Sequence, residues 1–373
     1  LDARHADDEH LINLAEKLGD DKLLAEAYFR VGSQALNEGK NQEALRAFNF
    51  ALGKAERAGD LPLRAQILPM KINALTLEEK LEEAGSLIDQ GITLARETGN
   101  ANLLARALTN IAPYYQVTGD IPKSIVLMEQ QIDINQQQGN RLGEVYGLIN
   151  LGYFYVSLGH FKTGRKLLDR ALKTAQRLGV KICVAYSLLN LGLAHWRLGQ
   201  LREARDLFER SKAILEGLGD QRGLASRNLY LGLTHEAAEE FLQAGHHFSA
   251  ALDLSKTIGA TSGIVDAQAG LARLALKGMA LDQAEDLALQ IMQYLDQTGP
   301  EGLEFPLLAY LSCLDIFTAL NDTQKVNHLL DAAVQKIHDR LGKIQDSEWK
   351  EVFLNEIPEN RKLLAMKDAV SQS

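Results

Sequence analysis

The run GHFKTGRK (159–166) sets Gly159 and Gly164 five residues apart, the glycine spacing of a loop whose backbone amides cradle phosphate. That chemistry also needs Lys followed by Ser or Thr after the second glycine, and a strand before the first. Here Arg165 and Lys166 follow, and the flanking pattern is helical. GLGDQRG (217–223) imitates a dinucleotide loop and fails on its helical flanks in the same way. HEAAEE (235–240) opens like a zinc-protease helix but lacks the second histidine one helical turn on. Cys183 and Cys313 lie far apart and read as reduced core thiols, not as a disulfide. No Ser/His/Asp set, paired CxxC motif or carboxylate dyad can be assembled. The expectation is therefore a chain without cofactor or metal, and not an enzyme.

What these lookalikes share is a place in a period. Glycine recurs at Gly19, Gly59, Gly99, Gly139, Gly179, Gly219, Gly259 and Gly299, eight times at an interval of 40 residues. A strict period of this size is the signature of a helical-repeat solenoid. The glycine's mechanical role is to end a helix in the left-handed conformation that a Cβ resists. Asp20, Asp60, Asn100, Asn140 and Asp220 follow it, short acceptors suited to capping the next helix. A second turn falls about halfway, at Gly39, Gly119, Gly159 and Gly199, with Gly278 one place early and Glu79 and Glu239 as exceptions. Each repeat is therefore two helices.

In the second helix a small residue (Ala44, Ala84, Ser124, Gly164, Ala204, Ala244, Ala284) precedes a bulky one by four places (Phe48, Ile88, Met128, Leu168, Phe208, Phe248). In the first helix Leu151, Leu191, Leu231 and Leu271 are followed by Gly152, Gly192, Gly232 and Ala272. Small facing large predicts close helix crossings. Tyr115, Tyr155, His195 and His235 share one repeat position, where a ring packs inside the array, so the two histidines read as core. His246 and His247 are adjacent and point to different sides of their helix.

The order of apolar residue, Leu-Gly, aromatic or Ala, then Ala and Phe in the partner helix resembles the tetratricopeptide repeat, whose usual period is 34 residues. NLGYFYVSLGHF (150–161) and NLGLAHWRLGQL (190–201) are similar to the 40-residue variety of spindle-orientation adaptors, kinesin light chains and bacterial signalling proteins. The implied fold is all-α: a right-handed α-solenoid of eight antiparallel helix pairs over 21–340. Residues 1–20 read as the second helix of a truncated preceding repeat, and with Leu1 at the start the chain reads as a piece of a longer protein. Residues 341–373 break the period and read as closing helices with Trp349, Phe353, Leu354, Ile357 and Leu363 on one face. WKEVFLNEIPENRKLL (349–364) resembles the ends of repeat arrays in regulators of the signal-transduction (STAND-type) ATPase class.

The resemblance also implies where a ligand lies: on the first helices, at positions 26, 29, 30, 33, 36 and 37 plus multiples of forty. Those positions hold a ladder of Asn110, Asn150 and Asn190, with Arg106, Tyr146 and Tyr186 one turn before and Tyr153, Trp196 and Arg197 after. Asparagine amides can pair with both donors and acceptors of a peptide backbone, aromatics anchor side chains, and Arg meets a carboxylate. The same asparagines would also serve to satisfy helix ends, and the aromatics to fill the space between repeats. The two-lysine, two-asparagine clamp of chaperone-tail binders is not reproduced, Arg106 and Arg197 being the nearby cations, which argues against an acidic C-terminal tail as ligand. Pro69 and Pro113 fall inside first helices and predict a local distortion that widens the groove near residues 65–118.

Composition sets further bounds. With 373 residues, 46% apolar content and seven prolines, the chain can bury ample core. A net charge of −9 argues against nucleic acid or an anionic membrane as partner, and no apolar run reaches the length of a membrane helix. The expected function is protein or peptide binding in the cytoplasm, as the sensor or interaction arm of a larger signalling protein and in contact with its other domains. A stand-alone scaffold, or the inducer-binding domain of a transcription regulator, is the alternative.

Overall fold

The structure, a computed structural model, describes residues 12–371, and no strand occurs among them. The helices follow the period: α1 (12–18), α2 (Asp21–Asn37), α3 (Asn41–Arg57), α4 (Leu61–Leu77), α5 (Leu81–Glu97), α6 (Ala101–Val117) and α7 (Ile121–Gln137). Next come α8 (Arg141–Ser157), α9 (Phe161–Leu178), α10 (Lys181–Arg197), α11 (Leu201–Leu218), α12 (Gln221–Ala237), α13 (Phe241–Thr257), α14 (Thr261–Lys277) and α15 (Leu281–Thr298). The last are α16 (Pro306–Ala319), α17 (Thr323–Lys343), α18 (Ser347–Glu356) and α19 (Pro358–Ser371).

Local chemistry explains this punctuation. Gly19, Gly59, Gly99, Gly139, Gly179, Gly219 and Gly259 all have φ between 64° and 69°. The amide after the glycine reaches back five residues, as in Asp60 N to Ala55 O at 3.0 Å and Asp220 N to Leu215 O at 3.0 Å, which closes a Schellman cap. The five short acceptors then cap the next helix: Asp20, Asp60, Asn100, Asn140 and Asp220 each accept a backbone N–H two or three residues ahead, at 2.9–3.3 Å. At the mid-repeat turn the left-handed residue keeps the register even without glycine. Glu79, Glu239 and Met279 have φ of 60°, 61° and 60°. Gly278 is not the turn residue; its φ is −79°.

Side-chain size explains how the pairs pack. A Cβ on Gly192 would meet the Phe208 ring at 2.5 Å, one on Gly232 the Phe248 ring at 2.5 Å, and one on Gly152 the Leu168 side chain at 2.6 Å. The Leu-Gly motif is thus a seat for the bulky residue of the second helix. Phe48, Phe208 and Phe248 are fully buried, as are Ala44, Ala84, Ala204, Ala244 and Ala284.

The phosphate-loop lookalikes are parts of this scaffold. Gly159 is a mid-repeat turn, and Gly164 lies inside α9 where a Cβ would meet Gly152 O at 2.6 Å. Gly219 is a helix cap, and Gly217 lies within α11.

The chain divides into two compact units: Leu1–Thr118 with Lys123–Asn150, and Gly119–Pro122 with Leu151–Ser373. In the first unit α4 and α6 run unbroken for 17 residues through Pro69 and Pro113, so neither proline ends its helix. Of the half repeat expected at 1–20, residues 12–18 are helical and Ala15 is fully buried; residues 1–11 lie outside the described residues.

In the second unit the period slips at its last glycine. Gly299 has φ 82° and ψ 176°, outside the left-handed helical well, and a loop carries the chain to Pro306. Gly302, φ 94°, lies within that loop, and the mid-repeat turn that follows is made by Asn321, φ 58°, two places late. Phe353, Ile357 and Leu363 are buried and Trp349 and Leu354 half-buried, so the apolar face read for the closing helices is the face they bury.

Candidate functional site

First helices α10, α12, α14 and α16 pack side by side in the second unit and form a continuous layer. The 299–305 loop and α19 fold onto it, and between the layer and α19 lies a cleft of about 400 Å³. Trp196, Leu233, Glu236, Ala237, Arg273 and Lys277 line it from α10, α12 and α14; Leu308, Leu311 and Asp315 from α16; and Pro358, Glu359 and Lys362 from α19. The first six sit at the repeat positions the sequence marks for ligands.

The loop is held by a carboxylate ladder. Asp266 accepts the N–H groups of Glu304 at 2.8 Å and Phe305 at 3.1 Å, so α14 fixes the entry to α16. Glu304 is turned inward, where one oxygen, Oε1, accepts the hydroxyls of Tyr153 at 2.9 Å and Tyr230 at 2.7 Å. Burial pushes the Glu304 carboxyl above the usual carboxylate range, with the two phenols and Arg197 opposing the shift. Burial, reinforced by Glu304, likewise pushes both phenols well above theirs.

Phe305 then packs against Trp196, ring centroids 5.6 Å apart, and the Arg197 guanidinium lies over both rings at 4.6 and 5.3 Å. Arg197 Nη1 donates to both oxygens of Glu359, at 2.8 and 3.0 Å. Across the cleft Arg273 forms a fork with Glu236, Nε to Oε1 at 2.9 Å and Nη2 to Oε2 at 2.7 Å, and donates to Ser312 Oγ at 2.8 Å. Lys277 lies 4.6 Å from the Phe241 ring centroid.

The nine residues marked from the sequence fall into different settings. Arg106, Asn110, Tyr146 and Asn150 belong to the first unit. There Arg106 Nη1 donates to Gln66 Oε1 at 3.3 Å, Asn110 Nδ2 to the Arg106 carbonyl at 2.9 Å, and Asn150 Nδ2 lies 3.8 Å from Met128 Sδ. Tyr146 is 39% exposed. In the second unit Tyr153 and Arg197 are engaged by the loop and α19. Tyr186 donates to Asp220 Oδ2 at 2.9 Å and so braces a helix cap. Half-buried Asn190 makes no hydrogen bond with another described residue.

Sequence reasoning named Trp196 on the cleft wall and Arg197 behind it, paired with Glu359, but missed Glu236, Arg273 and Lys277. The signal was present: these are repeat positions 36, 33 and 37, and following them into later repeats finds them. The reading of Arg106 and Arg197 as the nearby cations is corrected accordingly, because Arg273 and Lys277 occupy equivalent places. Glu359 and Lys362 have no signal in the period, since α19 lies outside it.

The histidines remain in the scaffold. His235 pairs with Glu240 and stacks on His247, centroids 5.2 Å apart, while His247 bonds Asn228 Oδ1 at 3.1 Å. Burial and the neighbouring charge of His235 depress His247 to about 4. Among the described residues no three His, Cys, Asp or Glu side chains gather as metal ligands, and no helix is long and apolar enough to cross a membrane.

Residues 143–217 match the tetratricopeptide-repeat family. No curated protein matches the sequence. Among solved structures, the chain is similar to a Rap protein complexed with competence and sporulation factor: TM-score 0.62 at 11% identity, over 93% of this chain and 98% of that one. It is similar to NprR in complex with its cognate peptide NprX, with TM-score 0.60 at 14% identity over 94% and 99%. It is also similar to the Cut9–Hcn1 hetero-tetramer of APC/C, with TM-score 0.57 at 15% identity over 94% and 58%. At these identities the likeness is one of fold. The match to the tetratricopeptide-repeat family covers residues 143–217, and the 40-residue helix pair continues to either side of them, so the chain is an all-α array of helix pairs with a fold similar to that of tetratricopeptide-repeat proteins.

Proposed function

We propose that the chain is a non-catalytic binding module that takes a peptide segment of a protein partner on the first-helix face of its second unit. The observation that carries this reading is the cleft: an aromatic wall (Trp196), apolar sides (Leu233, Leu311) and two cations (Arg273, Lys277) at repeat positions that point to a ligand. An apolar anchor site beside fixed charges suits a peptide side chain and its neighbouring polar groups. Asn190 adds an amide whose donors and acceptor are uncommitted among the described residues. Two proteins of similar fold are seen with a bound factor or peptide, a Rap protein complexed with competence and sporulation factor and NprR in complex with its cognate peptide NprX, which supports a binding role here.

A non-catalytic reading fits the titratable groups. The Cys313 thiol is buried and pushed far above its ordinary value, so no thiolate nucleophile is ready there. The carboxyl that burial pushes above its ordinary range, Glu304, is committed to two phenols.

A phage-displayed random peptide library selected on the intact chain tests the proposal. The expected result is enriched peptides whose affinity, measured by calorimetry, falls about tenfold or more in Trp196→Ala and in Lys277→Ala. Absence of enrichment, or affinities unchanged in both variants, would overturn it.

A further inference from the structure

The cleft has an occupant on one side, and that occupant is part of the chain. Glu359, at the start of α19, gives its carboxylate to Arg197; the two side chains are 9% and 13% exposed. Pro358 and Lys362 complete that wall. From α18, Trp349 enters an aromatic corner made by Tyr155 and His160, with centroids 5.8 and 5.6 Å away.

This docking is incompletely satisfied. Asn360, fully buried beside Glu359, donates to Phe353 O at 2.6 Å, yet its Oδ1 has no hydrogen-bond partner. Nε2 of His160, in the corner that holds Trp349, is likewise buried without one. Native interiors satisfy nearly all such atoms, so an orphan on α19 and another beneath α18 mark seats that are held but not optimised. Ion pairs hold α19 by charge: Lys362 with Asp315 at 2.8 Å and Lys367 with Asp331 at 2.6 Å are exposed pairs of small worth, and Arg197 with Glu359 is the buried one, the pair that faces the cleft.

We infer that Glu359 is the chain's own stand-in for a ligand group: the partner is an acidic peptide, whose carboxylate exchanges with Glu359 at Arg197 and releases α19 from the cleft. This rests on the peptide-binding reading above and names the ligand's chemistry and the competitor it must displace. Leaving Arg197 buried and unpaired is costly, whereas passing it from one carboxylate to another conserves the pair. Trp196 and Phe305, stacked under the guanidinium, keep it oriented while its partner changes. Released, Asn360 gains water for its idle oxygen. A neutral or basic peptide has no means of making that exchange.

The test uses the same random peptide library on three intact chains: wild type, Glu359→Gln, and the charge-swapped Arg197→Glu with Glu359→Arg. The swapped chain keeps an internal pair, which guards against loss of folding. Peptides selected on Glu359→Gln are expected to be rich in Asp and Glu. They should bind that variant about tenfold more tightly than wild type, because the internal competitor is weakened. The swapped chain should select peptides rich in Lys and Arg. If peptides bind all three chains with the same affinity and the same charge composition, the exchange is overturned and the binding module stands. If nothing is enriched on any of them, both fall together.

Discussion

Arg197 and Glu359 stand 162 residues apart in sequence, yet Nη1 of one donates to both carboxylate oxygens of the other, at 2.8 and 3.0 Å. The pair ties a first helix of the central repeats to a helix outside the period. Removing one partner strands a mostly buried charge, so Arg197→Met should lower unfolding free energy by about 3 kcal/mol in urea titration. The double variant Arg197→Met, Glu359→Leu should return to within about 1 kcal/mol of the parent, because an apolar pair needs no solvation. Equal losses in single and double variants would contradict this.

Glu304 predicts a pH dependence. Its carboxyl pKa is raised in the folded state above the ordinary 4.5, so folded protein holds the proton more tightly than unfolded chain. The stabilisation is therefore fully present below about pH 4.5 and is lost as pH rises through the raised folded value. Glu304→Gln keeps an acceptor for Tyr153 and Tyr230 but cannot titrate. Melting temperatures of the variant followed upward from pH 4.5 should fall less than those of the parent. Parallel curves would show that Glu304 titrates alike in both states.

The turn at 279 offers a gain. Met279 holds φ 60° and is 78% exposed, so its side chain adds strain without packing. Met279→Gly should raise stability by about 1 kcal/mol, the cost of a Cβ in the left-handed region less the added freedom of the unfolded chain. Gly278→Ala, at φ −79° with room for a Cβ, should be neutral or mildly stabilising. The reverse order, with position 278 intolerant and 279 indifferent, would place the turn one residue early.

Those two residues show where the sequence was readable. The 40-residue register, the left-handed glycines, the five Asp and Asn caps and the Leu-Gly seats are local chemistry repeated many times, and each is legible from spacing alone. Gly278 misleads because glycine is permissive in any conformation, whereas register geometry places Met279 at the turn. The slip after Gly299 is hidden because the glycine keeps its place while its backbone leaves the left-handed well. In the candidate site, Trp196 and Arg197 were legible as repeat positions, and Arg273 and Lys277 could have been. Glu304 and Glu359 could not: they come from a loop and a helix outside the period, and only the folded chain brings them to α8, α10 and α12.

Gly192 tests the packing logic. A Cβ there would lie 2.5 Å from the Phe208 ring, so Gly192→Ala should cost about 1–3 kcal/mol by overpacking. Phe208→Leu added to it should recover part of that loss, giving a coupling energy of about 1 kcal/mol in a double-mutant cycle. Additive effects would mean the ring moves aside freely.

The claim that a peptide binds the first-helix face of the second unit is tested most directly by hydrogen–deuterium exchange of the intact chain with and without a library-selected peptide. The account predicts slowed exchange in residues 190–197, 233–237 and 273–277, together with faster exchange in α19 as Glu359 lets go. Slowed exchange confined to the second helices of the repeats, with the first helices and α19 unchanged, would contradict it.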